Sequence, residues 1–221
     1  MYQLDSRNLG PQNCYFQKVI SKDDITLEVR KSSAAFLPMD KEKSKNLKVK
    51  ALTANQRSTR DAGKQHVIPL DFKDNDFQID LSKIDIHEGD TLVFHQAQRK
   101  QPNFAVRGTI GKTNFDSSSL TDQAVYTHAF GLAGRYEWAD ANGSGIGGVV
   151  NVVNETADGR KGAERIMKSL ENGVLVHIVG KKVSPAEVTI STGQTVFFAV
   201  EETAGITITD VNLLPKKARA K

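Results

Sequence analysis

Short runs of alternating apolar and polar residues, broken by Gly, Asp, Asn and Ser, recur along most of the chain. Alternation over a few residues between turn formers is the signature of a half-buried strand. The pattern predicts strands over 15–20, 25–29, 67–72, 91–94, 133–138, 147–153, 174–179 and 195–198. In the run ending at Trp138, Tyr136 and Trp138 share one face, because successive side chains of a strand point to opposite sides. Helical spacing stands out once, in residues 162–170. There Ile166, Met167 and Leu170 fall on one side, and Asn172-Gly173 supplies a stop. The polar stretch 154–160 before it reads as a linker. Many short strands and one connecting helix predict an all-β sandwich or small barrel.

One pattern occurs twice. Ile84-Asp85-Ile86-His87-Glu88-Gly89-Asp90-Thr91-Leu92-Val93-Phe94 matches Val188-Thr189-Ile190-Ser191-Thr192-Gly193-Gln194-Thr195-Val196-Phe197-Phe198. Both read as strand, turn through Gly, Thr, strand. Glycine suits the turn because a positive φ costs it little. The runs before them, 67–72 and 174–179, correspond as well. We read the echo as a domain start used twice. The second copy has few strands after it, so residues 15–29 are expected to complete it, in the same chain or through a second subunit that covers its open edges.

Composition narrows the function classes. The chain has 221 residues, a 38% hydrophobic fraction and a net charge of +4. That length holds one large domain or two small ones. Residues 1–8 lack an apolar h-region, and no apolar run is long enough for a membrane span. The expected setting is a chain made in the cytoplasm without a signal and open to incorporation into a virion. Cys14 is the one cysteine, which excludes an internal disulfide and a CxxC pair, and it reads as an ordinary thiol. GxSxG, P-loop and HExxH motifs do not occur, and no enzyme is predicted. The glycines of residues 143–148 sit between strands, whereas a phosphate loop feeds a helix N-terminus. Basic residues gather at 41–50 and in the tail Lys216, Lys217, Arg219 and Lys221. These could meet nucleic acid, but neither run carries the aromatic interleaving that stacks bases.

Residues 67–153 resemble a cupredoxin of the plastocyanin and pseudoazurin type. The likeness rests on residues 84–94, on the Phe115-Asp116-Ser117-Ser118-Ser119-Leu120 stretch, on residues 126–138 with Phe130, Gly134 and Tyr136, and on 147–153 as a last strand. The resemblance implies a Greek-key sandwich and, in the family, a copper site. That site needs two imidazoles and a thiolate. Here residues 101–106 contain no His, Asp140 stands where the thiolate would be, and the loop 141–146 holds no His, Cys or Met. His87, His95 and His128 do not match the family's ligand positions. No metal or other cofactor is therefore expected.

The expected organisation is N-terminal strands and a basic loop over 1–62, a cupredoxin-like domain without a copper site over 63–154, a linker and short helix over 155–173, and a second, smaller β-unit with a basic tail over 174–221. The expected function is that of a non-enzymatic structural or interaction protein. It would join other subunits as a homo-oligomer or within a hetero-assembly such as a phage virion. Two alternatives are an atypical copper-handling or electron-transfer protein and a nucleic-acid-associated one. The loops 96–103 and 140–145 are expected at one end of the sandwich, with Arg99, Lys100, Asn103, Asp140 and Asn142 as partner contacts and Lys216, Lys217, Arg219 and Lys221 as basic contacts.

Overall fold

The alternating runs become strands along most of the chain in the computed structural model, which describes residues 4–32, 44–53, 55, 63–98, 100–157 and 159–215. The protein is mostly β. Its strands are β1 (Asn13–Lys18), β2 (Ile25–Lys31), β3 (Lys45–Leu47), β4 (Gln65–Lys73), β5 (Asp76–Gln78), β6 (Thr91–Gln96), β7 (Phe104–Ile110) and β8 (Thr113–Asp116). They continue with β9 (Ala124–Ala129), β10 (Gly134–Ala139) and β11 (Gly147–Val153). After the helix α1 (Gly159–Glu171) come β12 (Val174–Val179), β13 (Lys182–Ser184), β14 (Glu187–Ser191), β15 (Thr195–Glu201) and β16 (Thr209–Asp210). The helix lies where its spacing predicts and connects β11 to β12.

Three sheets form. The largest has eight strands in the order β13-β12-β15-β9-β1-β6-β4-β5. Two four-stranded sheets, β14-β11-β10-β16 and β3-β2-β7-β8, pack on one face of it. Trp138 of β10 meets Phe198 of β15 at 5.3 Å between ring centroids, and Phe104 of β7 meets Phe77 of β5 at 6.0 Å.

The eight-stranded sheet has a pseudo-two-fold axis between β1 and β9. On one side β1 pairs with β6, and β6 lies parallel to β4; on the other β9 pairs with β15, and β15 lies parallel to β12. Residue correspondences follow closely. Tyr15 stacks on Phe94 at 6.1 Å and 24°, and Tyr126 stacks on Phe198 at 6.0 Å and 27°. All four rings are fully buried. Asp5-Ser6-Arg7-Asn8-Leu9 answers Asp116-Ser117-Ser118-Ser119-Leu120. Leu9 bridges Phe104 in the first copy, and Leu120 bridges Ile206 in the second.

The echoed turn is the same structure twice. Gly89 and Gly193 have φ of 91° and 97°, the left-handed region in which a Cβ is strained. Gly89 N donates to Val19 O and Gly193 N to Phe130 O, each at 2.7 Å. The side chain of the next residue closes the turn by accepting from the backbone N three positions back. Asp90 accepts from His87 N at 3.0 Å, and Gln194 accepts from Ser191 N at 2.6 Å.

The domain organisation therefore differs from the expected one. The chain is two copies of one unit, spanning about 4–112 and 113–215. The echo forms the later part of each unit instead of its start. The first unit is completed by β1 and β2, which pair with β6 and β7. The second is completed by β9 and β11, which pair with β15 and β14. Residues 63–154 hold their strands in the expected order but do not close on themselves, because β9 pairs with β1 and β15 and not with β6. Residues 15–18 and 174–201 do share the eight-stranded sheet, but β9 stands between β1 and β15, so the two segments do not pair directly into a separate unit.

The units also exchange their leading segments. Ser6 N donates to Ile208 O, and Ser6 Oγ accepts from Ile208 N. Reciprocally, Ser117 N donates to Val106 O and Ser117 Oγ accepts from Val106 N. The segment before β1 thus lies along β16, and β8, at the start of the second unit, lies along β7.

Candidate interaction surface

The core face of the eight-stranded sheet is covered by the smaller sheets. Its opposite face carries a second set of apolar side chains. Cross-strand register aligns Val67, Val93, Phe16, Val125 and Ala199 in one row over five strands. A neighbouring row runs from Leu175 through Phe197 and Thr127 to Cys14. The pseudo-two-fold axis relates the rows, so Val67 corresponds to Leu175 and Val93 to Phe197. A period of two explains the pattern: Tyr15 points to the core, so Phe16 points out.

Exposure rises toward the edges of this face. Val93 is buried and Phe16, Val125, Phe197 and Ala199 are half-buried, while Val67 is 58% exposed, Leu175 46% and Val179 36%. Phe16 and Phe197 meet at 6.4 Å at its centre. Phe197 lies so close to Gly173 that a Cβ there would come within 2.2 Å of the ring, which fixes the crossing from α1 into β12. A shallow groove beside the two rings is rimmed by Lys18 and Glu201. An apolar patch with a polar rim is the usual form of a protein contact surface.

The loops expected to form a contact end lie apart. β6 and β15 run antiparallel within the large sheet, so the loop 97–103 and the loop 202–206 leave opposite ends. Asp140 belongs to the second of these ends, because it bonds Thr207. The expected pairing of loops 96–103 and 140–145 is thus corrected: the permuted strand order assigns them to different units. Lys100 is exposed. Asn103 is half-buried and accepts from Ser32 N at 3.1 Å. Asn142 is exposed and its backbone N donates to Asp140 at 3.2 Å. Arg99, Lys216, Lys217, Arg219 and Lys221 lie outside the described residues.

Asp140 serves structure rather than contact. It is 4% exposed and accepts from Thr207 N, Thr207 Oγ1, Asn142 N and Ser144 N. Burial alone would raise its pKa, but these hydrogen bonds, led by the one from Thr207 N, hold it below the ordinary carboxylate value. The residue at the position where the resemblance puts a thiolate therefore ties the turn 141–146 to the strand beside it. Cys14, on the outer face of β1, is half-buried, and burial pushes its thiol pKa up. That is the opposite of activation.

Elsewhere the charged groups pair locally. Glu28 Oε2 is clasped by Arg107 at 2.8 Å and Arg30 at 3.2 Å. His66 Nε2 lies 2.8 Å from buried Asp90. Among the described residues no three His, Cys, Asp or Glu side chains gather in a metal-binding group, and no helix is long and apolar enough to cross a membrane.

Sequence reasoning missed the outer face. It assigned strands but did not combine them across a sheet, and rows such as Val67-Val93-Phe16 exist only once register is known. A stricter reading of β12, Val174-Leu175-Val176-His177-Ile178-Val179, would have flagged it. Apolar residues there occupy both faces of a strand at a sheet margin. In comparisons with known proteins, no family, no curated protein and no solved structure matches the chain.

Proposed function

We propose that the chain is a non-enzymatic structural or interaction protein, built from two similar β-units and acting as a subunit of a larger assembly, of which a phage virion is one example. The observation that carries this reading is the apolar outer face of the eight-stranded sheet. Covering it removes Val67, Leu175, Val179 and the Phe16–Phe197 pair from water, at about 25 cal/mol per Å² of apolar area.

The favoured occupant is a second copy of the chain. The face already has internal two-fold character, and an isologous contact buries the same patch on both partners. Lys18 and Glu201 rim the same groove, so a copy related by a two-fold axis can set each against its opposite charge. A stable contact of this kind needs about 800 Å² per partner.

Light scattering of the full chain over a concentration range tests this. A dimer or larger species should form, and Val67→Lys with Leu175→Lys should return it to a monomer. Both positions are exposed, so folding stability should shift by only about 0.5 kcal/mol. A wild-type chain that stays monomeric at every concentration would refute self-association through this face.

A further inference from the structure

A cavity of about 620 Å³ opens at the second unit, with Leu4 and Gln12 of the first on its wall, and its origin is visible in the repeat. In the first unit β7 runs seven residues and pairs with β2 along its length, ending at buried Ile110 opposite Ile25. In the second unit the equivalent strand β16 has two residues, meeting β10 only at Trp138 and Ala139, before the chain turns aside at Val211–Leu213. The space that β7 fills in one unit is left open in the other.

What lines that space suits a small ligand. Phe130 and Tyr136 form an aromatic corner, 5.0 Å apart and near perpendicular. Leu4, Leu132 and Leu213 supply apolar walls, and His128 lies at the base. The volume falls in the range of about 300–1,000 Å³ typical of small-molecule sites. At the rim, Arg135 is already paired with Glu137 at 3.1 Å and Glu187 at 3.5 Å, so it places little demand for an anion on an occupant.

His128 supplies the polar anchor. It is 3% exposed and packs edge-on against Phe130 at 4.5 Å. Its Nδ1 lies 2.6 Å from the side-chain amide of Asn13. The Asn13 amide satisfies all its neighbours when its nitrogen faces His128 Nδ1, Tyr126 Oη and Gln12 O and its oxygen accepts from Gly10 N. Nδ1 is then the acceptor, and the ring proton sits on Nε2. Burial lowers the His128 pKa to about 4, so the ring is neutral at pH 7. The residue at this position in the first unit is Gln17, whose amide is internally satisfied by Tyr15 Oη at 2.7 Å and Lys18 O at 3.3 Å. Among the described residues the His128 ring makes its hydrogen bond at Nδ1, with Asn13, and the ring borders the cavity.

We infer that this cavity is a binding site for a small, flat, uncharged aromatic or heteroaromatic molecule, held between Phe130, Tyr136 and the leucines and anchored by a hydrogen bond from His128 Nε2–H to an acceptor on the ligand. The site is separate from the outer face of the large sheet and does not depend on the assembly reading.

The test is a titration of the ¹⁵N-labelled full chain with quinoline, whose ring nitrogen is an acceptor, and with naphthalene, its isostere without one. Quinoline should give saturable shifts confined to residues around the cavity and should move the His128 Nε2–H resonance. Leu132→Trp, a change at a 59% exposed position on the rim, should weaken binding at least tenfold while leaving the rest of the spectrum folded. His128→Phe should abolish the preference for quinoline over naphthalene. Shifts centred on Phe16 and Phe197, an absence of saturable shifts at the cavity, or an unchanged affinity in Leu132→Trp would each overturn the assignment.

Discussion

The two units share a strand order, a Tyr–Phe stack and a glycine turn, yet they differ where each one ends. The first closes with β7, whose seven residues seal its core with Ile110. The second closes with the two residues of β16 and keeps an open corner. The same buried position holds Gln17 in one and His128 in the other, the first fully bonded within the protein and the second facing a cavity. The turn residue differs too. Asp90, an acceptor only, takes Lys64 N at 2.8 Å. Gln194 has donors as well and gives them to Ser169 O and Asn172 O, capping the C-terminal end of α1. Duplication has kept the frame of the unit and varied the pieces at its margins.

The largest effect should come from the shared frame. Phe94→Ala and Phe198→Ala each remove a fully buried ring stacked on a tyrosine, and each should cost about 3–5 kcal/mol. Trp138 is the one tryptophan and lies in the second unit against Phe198. If the units fold as one body, its fluorescence and the far-ultraviolet circular dichroism should give coincident urea transitions in wild type and in both variants. A fluorescence transition that moves only in Phe198→Ala would show that the units unfold independently.

A smaller effect separates Gln17 from His128. The folded-state pKa of His128, about 4, lies below the ordinary value of 6.5. Between those values the unfolded chain binds a proton that the folded chain does not. Stability contributed by the neutral ring is therefore complete above pH 6.5 and falls as the pH drops toward 4, by about 3 kcal/mol at most. His128→Gln, which installs the first unit's residue in the second, should remove that slope. Urea midpoints of the two proteins from pH 7.5 to 4 check this, and parallel curves would contradict it.

The turn residues should show the smallest contrast. Asp90→Ala strips hydrogen bonds from Lys64 N and His87 N and the contact with His66, at about 2–3 kcal/mol. Gln194→Ala removes neutral hydrogen bonds and should cost about 1 kcal/mol. Equal losses in thermal unfolding would mean that the charge on Asp90 adds nothing.

Much of this architecture was legible in the chain. Period-two alternation located β4, β6, β10, β11, β12 and β15, and the spacing of Ile166, Met167 and Leu170 located α1. The echo around Gly89 and Gly193 becomes the same Gly turn twice. Its boundaries were not legible, because pairing partners are set by packing and not by local pattern. Residues 67–153 read as one continuous unit although their first strands and their last belong to different ones. β7 was missed because Arg107 and Gly108 interrupt its apolar run, and Arg107 makes sense only once Glu28 stands opposite it. Ile84–Ile86 read as a strand, yet the run forms none: Ile86 O accepts from Lys50 N at 3.0 Å, and the next residue, His87, makes an isolated parallel bridge with Lys50. The cavity is invisible to sequence because it comes from a strand stopping early, and Asp140 looked like a loop contact because its partner Thr207 is distant in the chain.

The reciprocal docking of Ser6 on Ile208 and Ser117 on Val106 has a consequence for how the molecule can be taken apart. Each half carries the closing piece of the other, so the peptide link near residue 112 is one connection among several between them. Cutting the chain there should leave two fragments that find each other in solution, as in split-reporter complementation, with the serine contacts acting as the latch. By the same geometry, a chain carrying only one half could lend its leading strand to an identical neighbour. The tandem repeat is then a strand-swapped dimer joined into a single polypeptide.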